Sequence, residues 1–532
     1  MNNLKKLATS LFLVLLLAAC GSVAPPAPPP KLVVFFVVDG LPQRQVTGYR
    51  DQLAPDGLAR FLDRGVAFSE AHYAHAFTVT AAGHATLLTG ASPARHGIIG
   101  NEWRDPATGA EVYCTGDTAA TYIGNATKPL DGTSPRNLKV ETLGDVMRRV
   151  DPRAKVIGIS GKDRGAILPA GHAGTAYMYM SGSGQFASTT YYMPRHPAWV
   201  EAFNAEKRAD RYRGTEWKPL LPDAAYARSL PFNQVGPKAQ LPLRTDDYAA
   251  LLRSPFADAL SLDFARAAIA AEQLGRDDVP DLLVVSLSGH DYVNHAFSAE
   301  SRFSQDHLLQ LDRLLQDFFR DLDATVGRDN YVAVLSADHG FTPAPETSKA
   351  RGQEGGRIEG AKMLQQVNAQ LESRFGVPKL VLGSSASSLV LDKALLAQRG
   401  LAADTVAAAA RDVLAAQDGI AVAYTRRELE SGGRAGSPFF DAMQRSFNRE
   451  RSGDVQYATR PGWMFGTSTA THGSPHEADT HVPILLWGPR WMKAQAVATP
   501  VQTVDIAPTL ARLLGVPAPA ASEGKLLPLA AP

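Results

Sequence analysis

Four apolar runs constrain this 532-residue chain more than any other feature: "KLVVFFVVDG" (31–40), "PDLLVVSLSGHD" (280–291), "YVAVLSADHG" (331–340) and "HVPILLWGP" (481–489). They are continuous rather than alternating, as in strands covered on both faces, and they read as buried parallel strands. The first three each end in an Asp, at or just after the last apolar residue. Between them lie helical patterns: 302–326 carries Leu and Phe at i, i+3, i+4 spacing, and 258–274 is rich in Ala. Strand and helix alternating in this way predict a doubly wound, mostly parallel α/β sheet flanked by helices. Ligands of such sheets bind beyond the carboxyl ends of the strands, so polar residues there are functional candidates as a group.

Two segments break the alternation. Residues 175–255 are rich in Tyr, Pro and Arg without a clear period, and residues 345–465 mix short strand-like and Ala-rich helical pieces. Both read as cap insertions in a domain spanning 31–520, with "APAPAASEGKLLPLAAP" at its end as a loop or tail. Ahead of the domain, Lys5 and Lys6 precede the apolar run "LATSLFLVLLLAAC", which is short for a bilayer span and ends in small residues, as signal peptides do. Leu17-Ala18-Ala19-Cys20 resembles a bacterial lipoprotein box, which implies cleavage before Cys20 and lipidation of its thiol. Residues 1–20 are thus expected to be a lipoprotein-type signal, and 21–30 a Pro-rich tether outside the fold. The expected location is exported, periplasmic or at the cell surface, anchored to a membrane by several acyl chains. Cys114 is then the one remaining cysteine, so no intrachain disulfide supports the domain. A formal net charge of +1 gives no case for nucleic acid as a dedicated partner. No pattern in the chain bears on its oligomeric state.

The strand-end residues form a constellation. "VVDG" contributes Asp39, "SGHDYVNH" contributes Asp291 and His295 at i, i+4, and "SADHG" contributes Asp338 and His339. "THGSPHEADTHVP" offers His472, His476 and His481. Carboxylate and imidazole together are donors for zinc and similar divalent metals. Three Asp and three His exceed one tetrahedral site and suit two adjacent metals, each with an open position. Metal coordination favours an alkoxide at neutral pH, and Thr80 supplies the alcohol. It precedes "AAGHATLLTG", read as a helix opening on small residues, where backbone N–H groups favour an anion. The competing reading of Thr80 is a plain N-cap.

Taken in order, "TVTAAGHATLLTGASPARHGIIGNEW", "VVDG", "GISGKDRGAILPAG", "DYVNH", "SADHG", "THGSPHEADTHVP" and "VDIAPTLARLLGVPAP" resemble the alkaline phosphatase superfamily. Within it the chain resembles the monoester-specific alkaline phosphatases with a Thr nucleophile, relatives of the nucleotide pyrophosphatase/phosphodiesterases. The resemblance implies that Thr80 is the nucleophile and that Asn101 donates its amide to a phosphoryl oxygen. It implies two Zn2+ ions, one held by Asp39, Asp338, His339 and Thr80, the other by Asp291, His295 and His472; Mn or Co are also compatible with such donors. The third histidine is assigned to His472 because the family ligand precedes Gly, with His481 the alternative. Lys162 and Arg164 match the cationic pair that separates monoesterases from diesterases.

The physical reading agrees. A phosphate monoester carries nearly two negative charges, and its transfer depends on positioning and charge stabilisation. Arg164 can pair with phosphoryl oxygens in bidentate fashion and Lys162 adds a point charge. The expected activity is hydrolysis of small phosphate monoesters through a phosphothreonine. The alternatives are a phosphodiesterase or nucleotide pyrophosphatase, which the cationic pair disfavours, and a non-catalytic surface lipoprotein, which complete motifs disfavour. His72, His75, His84 and His96 are expected to pack, hydrogen-bond or support ligands. Asp163 is expected to point away or to orient a neighbour. The aromatic segment 177–192 is expected on the leaving-group side.

Overall fold

The computed structural model describes residues 27–230 and 243–532. The signal segment, Cys20 and the tether as far as residue 26 lie outside the described residues. The core is a nine-stranded sheet. In chain order its strands are β1 (Leu32–Val38), β2 (Val66–Phe68), β3 (Val156–Ser160), β4 (Thr175–Met180), β5 (Gln185–Ala187), β6 (Asp281–Leu287), β7 (Tyr331–Ser336), β8 (Ile484–Trp487) and β9 (Gln495–Val497). Their spatial order is β9-β2-β8-β7-β1-β6-β3-β4-β5. All seven side chains of β1 are buried, as are those of β6 and β7 on either side of it. Continuous apolar runs are what such two-sided burial requires.

Five helices matter for the site: α1 (Thr80–Thr89), α2 (Asp163–Ala170), α3 (Pro255–Glu272), α4 (Gly289–Phe297) and α5 (Arg302–Thr325). The predicted Leu/Phe-rich helix is α5, and its Phe318 and Phe319 meet Phe36 of β1 edge-on, each at 5.6 Å. The predicted Ala-rich helix is α3, whose Phe264 stacks on Phe186 of β5 at 4.3 Å. Such aromatic pairs add to the area they bury.

Several expectations need correction. The run 481–489 yields β8, but β8 is antiparallel to both β7 and β2. An apolar run reports burial and carries no direction, so it cannot separate the two cases. Residues 175–187 do not cap the sheet: they form its edge strands β4, parallel to β3, and β5, antiparallel to β4. Residues 27–30 are not free of the fold, since Pro30 is buried and the Pro28 carbonyl accepts from Trp491 Nε1 at 2.7 Å. The domain also runs past 520. Leu527 is buried in the main core, and the Glu523 carboxylate accepts from the Ser92 N–H at 2.7 Å.

The second insertion has its own sheet, Val381–Ser385, Ser388–Leu391, Val455–Thr459 and Ile420–Thr425 in spatial order. Its own apolar core includes Val367, Leu371, Leu389 and Val406. The first of these strands alternates buried and exposed residues, as a sheet with one wet face should.

The main sheet brings the motifs together by register. Val38 pairs with Leu287, Val37 with Ser336, and Ser286 with Ser160. Asp39, Asp338, Asp291 and Lys162 therefore all follow the carboxyl ends of four adjacent strands. From β1 the chain moves to one side of the sheet for β2 and to the other for β3, a topological switch point of the kind that binds ligands.

Candidate active site

Two triads form at this switch point. Asp39, Asp338 and His339 present donor atoms within 4.8 Å of one another, and so do Asp291, His295 and His472. His339 Nε2 lies 3.5 Å from Asp39 Oδ1 and 3.4 Å from Asp338 Oδ2. His295 Nε2 and His472 Nε2 lie 3.4 and 3.5 Å from Asp291 Oδ1. The triads adjoin, since His339 Nε2 is 4.0 Å from Asp291 Oδ1 and the His339 and His472 rings stack at 3.4 Å.

Each imidazole is held by its far nitrogen. Nδ1–H of His295 donates to Ala470 O at 3.0 Å, that of His472 to Thr78 O at 2.8 Å, and that of His339 to Gly340 O at 2.8 Å. Such bonds fix the tautomer and aim the Nε2 lone pair inward. Asp338 is held from behind by the Gly40 N–H at 3.0 Å and by the His84 ring at 3.2 Å. His84 thus supports a ligand, and its other nitrogen meets Ser286 Oγ at 2.8 Å. Gly40 has φ +71° and Gly83 sits where a Cβ would come within 2.0 Å of Asp338 O. The first needs glycine for its conformation and the second for the approach of α1 to Asp338.

The donor set fits divalent cations. Among the described residues, Asp39 Oδ1, Asp291 Oδ1 and His339 Nε2 are buried without a hydrogen-bond partner, while Asp39 Oδ2 and Asp338 Oδ2 meet the Lys162 ammonium at 2.8 Å and the His84 ring at 3.2 Å. Buried polar atoms normally have partners, so this concentration calls for positive charge. Burial, then repulsion from Asp338, pushes the Asp39 carboxyl well above the usual carboxylate range, against the pull of Lys162. Burial also works to raise Asp291, but Lys162 and the surrounding imidazoles hold it well below that range. Burial lowers His339 and His472, which keeps both rings neutral and able to ligate.

Thr80 opens α1 as its first helical residue, with Val79 in the N-cap position, and it is 1 % exposed. The plain N-cap reading is therefore displaced. Asn101 Oδ1 accepts from the Ala81 N–H at 2.9 Å, which ties it to the same helix start and turns its amide N–H2 outward to other acceptors. Lys162 is buried, with Nζ 2.8 Å from Asp39 Oδ2 and 2.5 Å from Asp291 Oδ2, so one ammonium stands between the two triads. Arg164 Nη1 donates to Tyr113 Oη at 3.1 Å, and Tyr113 Oη donates to Asp163 Oδ1 at 2.7 Å. Asp163 thus orients a neighbour, and its other oxygen accepts from the Gly132 N–H at 3.0 Å. A cavity of about 610 Å³ opens beside this pair, lined by Lys162, Arg164, Tyr113, Tyr292 and residues 178–183 of the aromatic segment.

All ten predicted site residues are brought to one end of the sheet. His476 and His481 are not: His476 Nε2–H donates to Thr459 O at 2.8 Å, and His481 stacks on His72 at 4.4 Å. Of the other flanking histidines, His75 is buried with a pKa lowered by burial to about 3, and His96 reaches Thr86 at 3.2 Å. Sequence reading missed three contributors. Tyr113 positions Arg164, Tyr292 faces Lys162 Nζ at 5.0 Å, and Asp479 fixes Ser474 beside the His472 loop at 2.9 and 2.6 Å. An Asp inside the His-rich segment was the available signal for Asp479. No spacing pointed to Tyr113.

The profile of the family described as Type I phosphodiesterase / nucleotide pyrophosphatase matches residues 33–481. A chain from Myroides odoratus, named a calcium-transporting ATPase, is 34% identical, with 92% of each chain covered. Alkaline phosphatase PafA from Elizabethkingia meningoseptica is 33% identical, again with 92% of each chain covered. The crystal structure of wild-type PafA superposes with a TM-score of 0.89 at 32% identity, covering 94% of this chain and 99% of that one. The chain belongs to the type I phosphodiesterase / nucleotide pyrophosphatase family within the alkaline phosphatase superfamily, and it is a phosphatase.

Proposed function

We propose that the protein hydrolyses small phosphate monoesters through a phosphothreonine on Thr80, using two zinc ions held by the triads. Divalent cations there supply Lewis-acid charge to the attacking and leaving oxygens. In the first step the Thr80 Oγ–P bond forms, the P–O bond to the alcohol breaks, and the alcohol departs with a proton. In the second step water attacks phosphorus, the P–Oγ bond breaks, and Thr80 recovers its proton while inorganic phosphate leaves. Asn101, tied to the start of α1 beside Thr80, donates its amide to a phosphoryl oxygen. Lys162 and the Tyr113-braced Arg164 oppose the remaining charge.

The observation that carries monoester preference is the placement of Lys162, buried between Asp39 and Asp291 and two residues before Arg164. A monoester has two charged oxygens for this pair to meet; a diester has an extra substituent and less charge. Among the described residues no helix is long and apolar enough to cross a membrane. Export and lipid anchoring through Cys20 belong to the same proposal and rest on the sequence of residues 1–20.

The test compares kcat/KM of metal-replete protein on matched aryl phosphate monoester and diester. The monoester is expected to be preferred, and Lys162→Ala with Arg164→Ala to lower the monoester rate by roughly 10²–10³-fold per lost donor while sparing the diester. A wild-type preference for the diester would overturn the reading.

A further inference from the structure

A third carboxylate–imidazole group stands apart from the two triads. Glu70, His72 and His481 present donor atoms within 4.8 Å of one another, the same closeness as in each triad. Backbone pairing holds them together. Ala71–His72 pairs in parallel with Val501–Gln502. On the other side, the Val482 N–H donates to Ala71 O at 3.1 Å and the Tyr73 N–H to Thr480 O at 3.0 Å, which brings His72 opposite His481.

The side chains are arranged as donors. His481 Nε2–H donates to Ser69 O at 2.6 Å, so its Nδ1 keeps the lone pair. That nitrogen lies 3.7 Å from Glu477 Oε1, and His72 Nε2 lies 3.7 Å from Glu70 Oε2. The two rings stack at 4.4 Å with planes 22° apart. Two imidazoles flanked by two carboxylates make a mixed N/O donor set suited to zinc-type ions.

We propose that Glu70, His72 and His481 bind a third divalent transition-metal ion that clamps segment 70–72 to segment 477–481, with the exposed Glu477, 3.7 Å from His481 Nδ1, swinging in to complete the site. Both segments lead into the catalytic centre. The first continues to Thr80. The second holds Asp479, which fixes Ser474 next to the His472–Gly473 turn. Once Glu477 joins the three grouped donors, no open position remains and the ion is structural. The proposal does not depend on the substrate assigned above.

Untagged protein is stripped of metal and dialysed against micromolar Zn2+, and bound zinc is counted by atomic emission. Co2+ replaces Zn2+ in a parallel titration read by visible absorption. Wild type is expected to take up a third ion after the two tight ones, with a rise in Tm at the third equivalent. His72→Gln and His481→Gln are expected to lose that ion and the Tm rise, while hydrolysis at saturating zinc stays within about twofold, as for changes away from a catalytic site. Glu70→Gln and Glu477→Gln, at exposed positions, repeat the count without disturbing the stacked rings. A wild type that stops at two ions, or a full third equivalent in the Glu70→Gln, Glu477→Gln double variant, would overturn the proposal.

Discussion

The strand-end triads and the Glu70–His72–His481 cluster use the same kinds of side chain in different surroundings. Asp39, Asp338 and His339 are wholly buried, whereas Glu70 keeps 49% of its side chain exposed and Glu477 keeps 82%. Buried donors without partners impose a large penalty until a cation meets them, and charges there act at low dielectric. The edge cluster is hydrated and screened, so an ion there gains less and has no enclosed space for a substrate. The triads also stand beside Thr80, the Asn101 amide and the cations Lys162 and Arg164; the cluster stands beside backbone pairing alone. Burial and neighbours, rather than ligand identity, separate catalytic donors from structural ones.

This contrast is most exposed to test at two histidines of one motif. His472→Ala leaves Asp291 with one imidazole fewer in a buried site and is expected to cost about 4 kcal/mol, roughly 10³-fold in kcat/KM. His481→Ala is expected to leave kcat/KM within about twofold, as surface changes usually do. Equal losses in the two variants, measured on one aryl phosphate, would break the distinction.

A smaller effect sharpens the role of burial around the cations. Tyr113→Phe removes the hydroxyl between Arg164 and Asp163 and is expected to cost about 1 kcal/mol, roughly fivefold in monoester kcat/KM. The diester rate should hold, because Arg164 meets a charge the diester lacks. A parallel fall in both rates would make Tyr113 a packing residue. The smallest effect concerns Cys114, buried on the same side. Burial, despite the pull of Arg164, pushes its thiol up to about 12, so at pH 8 only about one molecule in 10⁴ carries the thiolate. Thiol reagents are expected to leave native activity unchanged and to label Cys114 only on unfolding. Rapid inactivation by alkylation at pH 8 would contradict this.

The sequence made some regions legible for physical reasons. β1, β6 and β7 are covered on both faces, so their residues are apolar without a break, and each is followed closely by an Asp that the register brings to one place. β8 has the same signature but the opposite direction, because apolar composition is unsigned. β4 and β5 hid in a segment rich in Tyr and Met, since short edge strands beside loops leave little periodicity. Residues 27–30 and 521–532 are irregular yet fixed by hydrogen bonds from distant residues, which no local pattern records. Tyr113 lay in a stretch considered for its cysteine alone. Its task depends on Arg164, 51 residues away, and was invisible until the fold joined them.

The central claim is that Thr80, at the start of α1, attacks phosphorus. Quenching metal-replete enzyme in acid during turnover of an aryl phosphate, then measuring intact mass and mapping peptides, tests it most directly. The account predicts a species heavier by one phosphoryl group, located on Thr80 and absent from Thr80→Ala, whose kcat/KM falls by roughly 10⁴-fold or more. Full turnover by Thr80→Ala, or phosphate found on another residue, would contradict it.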